Sequence, residues 1–281
     1  MADATQAFTV ACLQVNASND MAANIDVAAS LTREAVAKGA QLVLMPENVA
    51  MMEFGRAAII GKGMPESAHA ALKAFGALAA ELKIWLHCGT LGVLLETGKL
   101  ANRTYVIGPD GKVAAKYDKI HMFDVDLGGG ERYHESATFD SGAQAVTVDL
   151  PWGRLGLTVC YDLRFPHLFR HLAQAGSHFL TVPSAFTQKT GEAHWHVLLR
   201  ARAIETGCFV FAPAQTGTHI GERKTYGHAL IINPWGEVLA DAGTAPGFVL
   251  TKIDPTEVAA ARGKIPSLSL NANFGLLPIA P

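Results

Sequence analysis

An α/β fold with a mixed sheet is what the sequence predicts, on three observations. Short apolar runs alternate with stretches of helical spacing. Pro or Gly closes most of them. Pro-x-Gly turns at Pro109, Pro151 and Pro234 lie between runs that read as strands. Phe8–Val15 reads as a buried strand, and Met21, Ile25, Ala28, Leu31 and Ala35 then recur at three- and four-residue spacing until Gly39 stops the helix. Leu42-Val43-Leu44-Met45 is a second buried strand closed by Pro46, which leaves Glu47 just past its carboxyl end, where open α/β sheets place their chemistry. A helix over about 66–82, a strand over 84–88 and a hairpin at Gly108-Pro109-Asp110-Gly111 follow. The hairpin feeds a strand over 113–117, and Lys119 comes directly after. Residues 154–159 form another apolar strand, and Cys160 ends it at a strand-to-helix elbow. Pro166 then opens a helix that carries Leu168, Phe169, Leu172 and Ala173 inward, with Gly176 as its stop. A strand over 178–182, a helix over 192–206 and a strand over 208–212 repeat the pattern, and two last strands flank Pro234-Trp235-Gly236.

The 281 residues, 49% hydrophobic and 17% charged, suffice for a large core. One domain is expected over 1–281, with its core at about 8–253 and an irregular apolar arm over about 265–281, packed on its own body or on a second subunit. No apolar run approaches the roughly 18 residues of a membrane helix, and Met1-Ala2-Asp3-Ala4-Thr5 lacks the basic-then-apolar order of a signal peptide, so a cytoplasmic protein is expected. Cys12, Cys88, Cys160 and Cys208 are far apart with no C-x-x-C pair, which reads as reduced thiols and neither disulfides nor a zinc site. His167 and His171 fall on the polar side of their helix, and neither they nor His194 and His196 have a spaced carboxylate to complete a metal site. With 23 basic and 25 acidic residues the net charge is -2, which excludes nucleic acid and anionic membrane as favoured partners and leaves small molecules.

In three places a charged or nucleophilic side chain follows at once on a strand-like run: Met45-Pro46-Glu47-Asn48, Tyr117-Asp118-Lys119-Ile120-His121 and Val159-Cys160-Tyr161-Asp162-Leu163-Arg164-Phe165-Pro166. Together these segments resemble the nitrilase, or carbon-nitrogen hydrolase, superfamily over about 8–253. Within it, Cys160 to Pro166 together with His194-Trp195 and Leu198-Leu199-Arg200-Ala201-Arg202-Ala203-Ile204-Glu205-Thr206 resemble the branch of deaminated glutathione amidases and omega-amidases. The resemblance implies a four-layer α-β-β-α sandwich with two mixed sheets. It also implies subunits paired through helices near the nucleophile, as a homodimer or higher homo-oligomer, and no cofactor. It carries a catalytic triad onto Glu47, Lys119 and Cys160, with Glu135 as a second glutamate beside it.

The chemistry accounts for these residue types. A free thiol, with a pKa of about 8.5, is mostly protonated at neutral pH and needs a base or a cation. Lys119 and the helix opening at Pro166 are expected to lower the Cys160 pKa, with Glu47 taking the proton during attack. The Lys119 ammonium and the Tyr161 N–H would face the oxyanion, and Glu135 would orient Lys119 or the substrate amine. Arg164 matches an arginine with which family amidases bind a substrate carboxylate. Asn48, Tyr161, Ser184, Ala185, Phe186 and Thr187 are further candidates for substrate contact, while Asp162 is expected to tie the elbow to a backbone amide. Tyr161, where true nitrilases carry tryptophan, favours amides over nitriles. The expected reaction converts a small carboxylate-bearing amide to acid and ammonia through a Cys160 thioester. N-carbamoyl amino acid hydrolysis is the alternative. Of the rival classes, a metal enzyme lacks a ligand set, and a non-catalytic scaffold subunit would be expected to have lost a triad member.

Overall fold

The computed structural model describes residues 6–275 and 277. In chain order it runs β1 (Phe8–Val15), α1 (Met21–Ala37), β2 (Leu42–Leu44), α2 (Arg56–Gly61), α3 (Ala70–Leu82), β3 (Trp85–His87), β4 (Leu91–Leu94), β5 (Leu100–Ile107) and β6 (Val113–Asp118). A small hairpin, β7 (Asp124–Asp126) with β8 (Arg132–His134), and the short β9 (Phe139–Asp140) come next. Then follow β10 (Val146–Leu150), β11 (Gly153–Leu157), α4 (Pro166–Gln174), β12 (Ser177–Thr181), α5 (Gln188–Thr206) and β13 (Phe209–Ala212). The last elements are β14 (Ala214–Thr218), β15 (Lys224–Tyr226), β16 (Leu230–Ile232), β17 (Val238–Asp241), β18 (Gly247–Ile253) and α6 (Thr256–Lys264).

Two mixed sheets stack between helices. The first runs β15-β14-β1-β2-β3-β5-β4, with β18 paired to β1 and with β6 and β9 paired to β5; the second runs β10-β11-β12-β13-β16-β17. Strand β1 explains the layering. Successive side chains point to opposite faces. Val10 and Cys12 join the core between the sheets with Leu155 and Phe179, whereas Ala11 and Leu13 join a second core with Ala28 and Ala35 of α1 and Phe75 and Leu78 of α3. A strand covered on both faces gains from apolar residues at every position, which is why β1 reads as an unbroken run. Helices α4 and α5 pack against β11, β12 and β13 and complete an α-β-β-α order. Each large apolar side chain sealed this way contributes about 1.5–3 kcal/mol.

Strand direction gathers the motifs. β2 is parallel to β3, β5 antiparallel to β3 and β6 antiparallel to β5, so β2 and β6 end on the same edge. β11 and β12 are parallel to each other in the second sheet and deliver Cys160 and Ser184 just past their ends.

Several sequence expectations change. The strands flanking Pro234 are not the last, because β18 follows and lies antiparallel along β1 from Phe8 opposite Ile253 to Gln14 opposite Gly247. Helix α5 starts at Gln188, a turn earlier than expected, and contains Gly191. A Cβ there would lie 2.3 Å from Cβ of Tyr226, so this glycine serves close packing and is not a helix stop. The C-terminal arm does fold onto its own body as far as Asn271: Arg170 of α4 binds the carbonyls of Leu268 and Leu270, both at 3.1 Å, and the Asn271 side chain at 2.9 Å. Its residues 276 and 278–281 lie outside the described residues. Among the described residues no helix is long and apolar enough to cross a membrane.

One glycine holds the Glu47 loop in place. Gly89 has a φ of 55°, and a Cβ on it would lie 1.8 Å from the Pro46 carbonyl oxygen and 2.6 Å from that of Met45. Gly89→Ala must therefore move backbone. It should cost at least about 3 kcal/mol, or roughly 5–10 °C in Tm, and should reduce activity along with it. A calorimetric scan that leaves Tm within 1–2 °C (about the shift a surface substitution gives) would refute this reading.

Candidate active site

Each sequence-predicted centre sits on a loop with its own anchor. Glu47 follows β2, where Gln215 donates to the Glu47 and Asn48 carbonyls at 3.0 and 3.3 Å, and the Thr90 hydroxyl accepts the Asn48 N–H at 2.9 Å. Lys119 follows β6 and donates its backbone N–H to the Asn102 carbonyl at 3.0 Å. Cys160 opens a 3-10 turn, Cys160–Arg164, and has a φ of 48°, a conformation that side chains other than glycine adopt at a cost. Asp162 holds this elbow from beneath: its carboxylate accepts from the Val159 N–H at 2.9 Å, the Tyr117 hydroxyl at 2.7 Å and the His121 N–H at 3.1 Å.

The side chains then meet. Lys119 Nζ is 3.0 Å from Glu47 Oε1 and 2.8 Å from Glu135 Oε2, with the lysine only 2% exposed. The Ala185 N–H donates to Glu47 Oε2 at 2.8 Å, and Cys160 stands close enough to Glu47 for the carboxylate to act on its thiol. All four chemical groups line one cavity of about 940 Å³, together with Asn48, Tyr161, Ala185, Phe186 and Thr187. Ser184 is buried and does not line it; its hydroxyl donates to the Val182 carbonyl at 3.1 Å.

Arg164 lies at the edge of the cavity. Its guanidinium is 5.9 Å from the Tyr161 ring and 5.3 Å from the Phe186 ring, both of which line the cavity, with His194 Nδ1 at 3.4 Å. A 3-10 turn eclipses residues three apart, so Arg164 is carried alongside Tyr161.

Electrostatics correct one expectation, the lowered pKa of Cys160. Burial and the Glu47 carboxylate push the Cys160 thiol well above its ordinary range, and Lys119 offsets only part of that. Helix α4 begins only after the whole 3-10 turn, too far along the chain to act on the sulfur through its first N–H groups. The resting nucleophile is thus a neutral thiol beside a base. Burial disfavours the Glu47 charge, yet the Lys119 ammonium, the Ala185 N–H, the Cys160 thiol and the Arg223 charge together hold its pKa below the usual carboxylate range. Burial likewise opposes the Lys119 charge, and Glu135 and Glu47 override it, keeping the lysine protonated far into alkaline solution.

Two functional contributors escaped the sequence reading. Asn102, inside β5, donates from Nδ2 to Glu47 Oε1 at 2.9 Å and to Glu135 Oε1 at 3.1 Å, bridging both carboxylates. Its strand, Leu100–Ile107, also carries Arg103 and Thr104, so the amide did not stand out. Arg223 also lines the cavity, on a loop between β14 and β15 that showed no periodicity. The fold also brings His196 to His228 and Asp241, with Asp241 oxygens 3.1 Å from His196 Nε2 and 2.9 Å from His228 Nδ1. None of the three lines the cavity, and their mutual hydrogen bonds account for the cluster.

A family model for carbon-nitrogen hydrolases matches residues 9–263. The chain belongs to the carbon-nitrogen hydrolase family. It is 41% identical over 265 residues to a deaminated glutathione amidase of Synechocystis, covering 93% of this chain and 97% of that one. It is 37% identical over 263 residues to the human omega-amidase NIT2, covering 92% and 93%. Among solved structures, the NitFhit protein of C. elegans superposes with a TM-score of 0.88 at 34% identity over 96% of this chain and 66% of that longer one. Nit3 of Saccharomyces cerevisiae, of the nitrilase superfamily, superposes with a TM-score of 0.84 at 29% identity, over 93% and 95%. The four-layer order is thus that of this family, and the protein is a hydrolase of carbon-nitrogen bonds.

The direction of the Glu47 shift sets a pH profile. A carboxylate held below its usual range stays ionised until the pH falls under about 4.3, the free glutamate value, so kcat/KM should fall only on that acid side. Because the thiol passes its proton to Glu47 and not to solvent, the rate should stay flat from about pH 6 to 9. A rate that climbs tenfold per unit between pH 7 and 9 would mean that a solvent-formed thiolate is required, against this arrangement.

Proposed function

We propose that the chain hydrolyses a small carboxylate-bearing amide to an acid and ammonia through a thioester on Cys160. The observation that carries this reading is that Cys160, Glu47 and Lys119 are buried in one cavity, with Lys119 3.0 Å from the Glu47 carboxylate. Glu47 takes the thiol proton as sulfur attacks the amide carbon, and the new oxyanion faces the Lys119 ammonium and the Tyr161 N–H. The tetrahedral adduct collapses as Glu47 returns its proton to the departing nitrogen. Water, deprotonated by the same carboxylate, then cleaves the thioester and frees the acid. Glu135 pins Lys119 through its two oxygens at 3.0 and 2.8 Å, and Asn48, Phe186 and Thr187 shape the space for the acyl chain. The relatives named deaminated glutathione amidase and omega-amidase support an amide over an N-carbamoyl substrate.

Brief exposure to a substrate amide should add the acyl mass to the intact protein, and Cys160→Ala should lose the adduct and roughly 10⁴-fold or more in kcat without loss of Tm. Unimpaired turnover in Cys160→Ala would end the reading.

The same reading has one catalytic domain acting in the cytoplasm, supported by four buried free thiols. It also has that domain working as a homodimer. Val197 and Ile204 on α5 are 67% and 52% exposed, which supports pairing through this helix near the nucleophile. Light scattering should give twice the 29.8 kDa chain mass, and Val197→Glu with Ile204→Glu should halve it. A wild-type monomer at micromolar concentration would count against the dimer.

A further inference from the structure

We infer that Asn102 is a positioning residue that leaves Glu47 a single open acceptor position, on Oε2, a step that rests on the role of Glu47 as base proposed above. Each oxygen of a carboxylate offers two lone pairs. Oε1 of Glu47 accepts from Lys119 Nζ at 3.0 Å and from Asn102 Nδ2 at 2.9 Å, and is filled. Among the described residues the only N–H that reaches Oε2 is that of Ala185, at 2.8 Å. The position that remains is the one through which the thiol proton, and later a proton of water, must be taken.

The neighbouring carboxylate is closed altogether. Oε1 of Glu135 accepts from Lys119 at 3.0 Å and from Asn102 at 3.1 Å. Its Oε2 accepts from Lys119 at 2.8 Å and from the Phe123 N–H at 2.7 Å. Both amide protons of Asn102 are therefore spent on the pair, one for each glutamate. Without them each Oε1 would regain an open lone pair, and a proton could settle between the two carboxylates that Asn102 now bridges and silence the base. The amide thus decides which of two adjacent glutamates is the base and through which oxygen it acts.

Burial and anchorage separate this role from packing. Asn102 is 1% exposed and its amide protons go to the glutamates, so it acts through them and not on substrate. Its Oδ1 is buried with no partner among the described residues, a cost that a leucine of similar volume would not carry. The reverse amide orientation would turn that oxygen on two carboxylates, so the charges themselves fix the way the amide points. The backbone is tied to the same centre. The Asn102 carbonyl accepts the Lys119 N–H at 3.0 Å, and Arg103 clasps Asp118 through two bonds of 2.6 and 2.8 Å, which locks β5 against β6 one residue before the lysine. The charged and titratable groups that face Glu47 are Lys119, Cys160 and Arg223, with Glu135 across the lysine, and a substitution at position 102 leaves all four in the chain.

The test is the pH profile of ammonia release from glutaramate by wild type, Asn102→Leu, Asn102→Asp and Glu47→Gln, each checked for Tm. Every variant meets the same substrate, so a change in the profile belongs to the enzyme. Removing a donor from an ionised carboxylate raises its pKa, so the acid limb of kcat/KM should move to higher pH by about one to two pH units in Asn102→Leu. Asn102→Asp keeps the volume, puts a third carboxylate in place of the donor and should move the limb at least as far; it carries the comparison if Asn102→Leu does not fold. On the plateau kcat should fall about 10- to 100-fold with KM within about threefold, and Glu47→Gln should lose about 10²–10⁴. An acid limb that stays with wild type in a folded variant would make Asn102 a packing residue and overturn the inference, whatever happens to Tm or kcat. So would a raised KM with kcat unchanged. A fully active Glu47→Gln, or a wild type that frees no ammonia, would remove the proposed reaction and this inference with it, whereas an inactive Glu47→Gln beside an unmoved limb removes the inference alone.

Discussion

The buried ammonium of Lys119 between two carboxylates is the interaction on which the rest depends. An ion sealed at 2% exposure is tolerable only when paired and hydrogen-bonded, and removing one partner from such a cluster leaves an uncompensated charge in a medium of low polarity. The cluster therefore demands that loops from β2, β6 and β8 converge, since Glu47, Lys119 and Glu135 each follow one of them. Asn102 completes the constraint from β5 by donating to both carboxylates, which would otherwise repel each other across the lysine. Closing the β7–β8 hairpin onto the first sheet and assembling the charged centre are thus coupled. The loops cannot relax without stranding a charge, and the charges cannot pair unless the strands are in register.

Against that fixed cluster the second sheet supplies the nucleophile. Cys160 enters with a positive φ, a strained setting that Asp162 maintains by collecting three donors beneath the elbow. One of those donors, Tyr117, belongs to β6 of the first sheet, one residue before Asp118 and two before Lys119, so the sulfur and the ammonium are referenced to the same strand. The apolar core between the sheets fixes the remaining distance, because close-packed interiors yield little to local strain.

How far all this was legible in the sequence depends on the range of the signal. Short-range patterns were readable: the run of β1, the 3.6-residue spacing of α4, and the turn residues that place Glu47, Lys119 and Cys160 just past strand ends. Their spatial union was readable only through family resemblance, because no periodicity links residues so far apart in the chain. Strands β14 and β15 are short and polar with exposed ends, so nothing in their composition marked the loop that carries Arg223. Asn102 was hidden because it lies next to Arg103 and Thr104 in a strand of mixed composition that the sequence reading did not single out. The sign of the thiol shift could not be read from residue types either. It results from a contest between burial, Glu47 and Lys119, and only the three-dimensional arrangement decides which prevails.

That contest bears on how one carboxylate can serve both halves of the proposed reaction. Before attack, the negative charge sits on Glu47, opposite Lys119, and the sulfur is neutral. When the proton moves from sulfur to Glu47, the electron pair moves from sulfur into the new carbon-sulfur bond and the charge reappears on the substrate oxygen, again facing Lys119. The lysine thus confronts one migrating negative charge throughout, and no unpaired charge is created in the buried cavity at any stage. A preformed thiolate would instead put two anions, sulfur and Glu47, beside the same ammonium with Glu135 already there. Raising the thiol pKa while lowering that of Glu47 avoids this state. The apparent handicap of a poorly acidic cysteine is then what keeps the charge count of the site constant from resting enzyme to thioester.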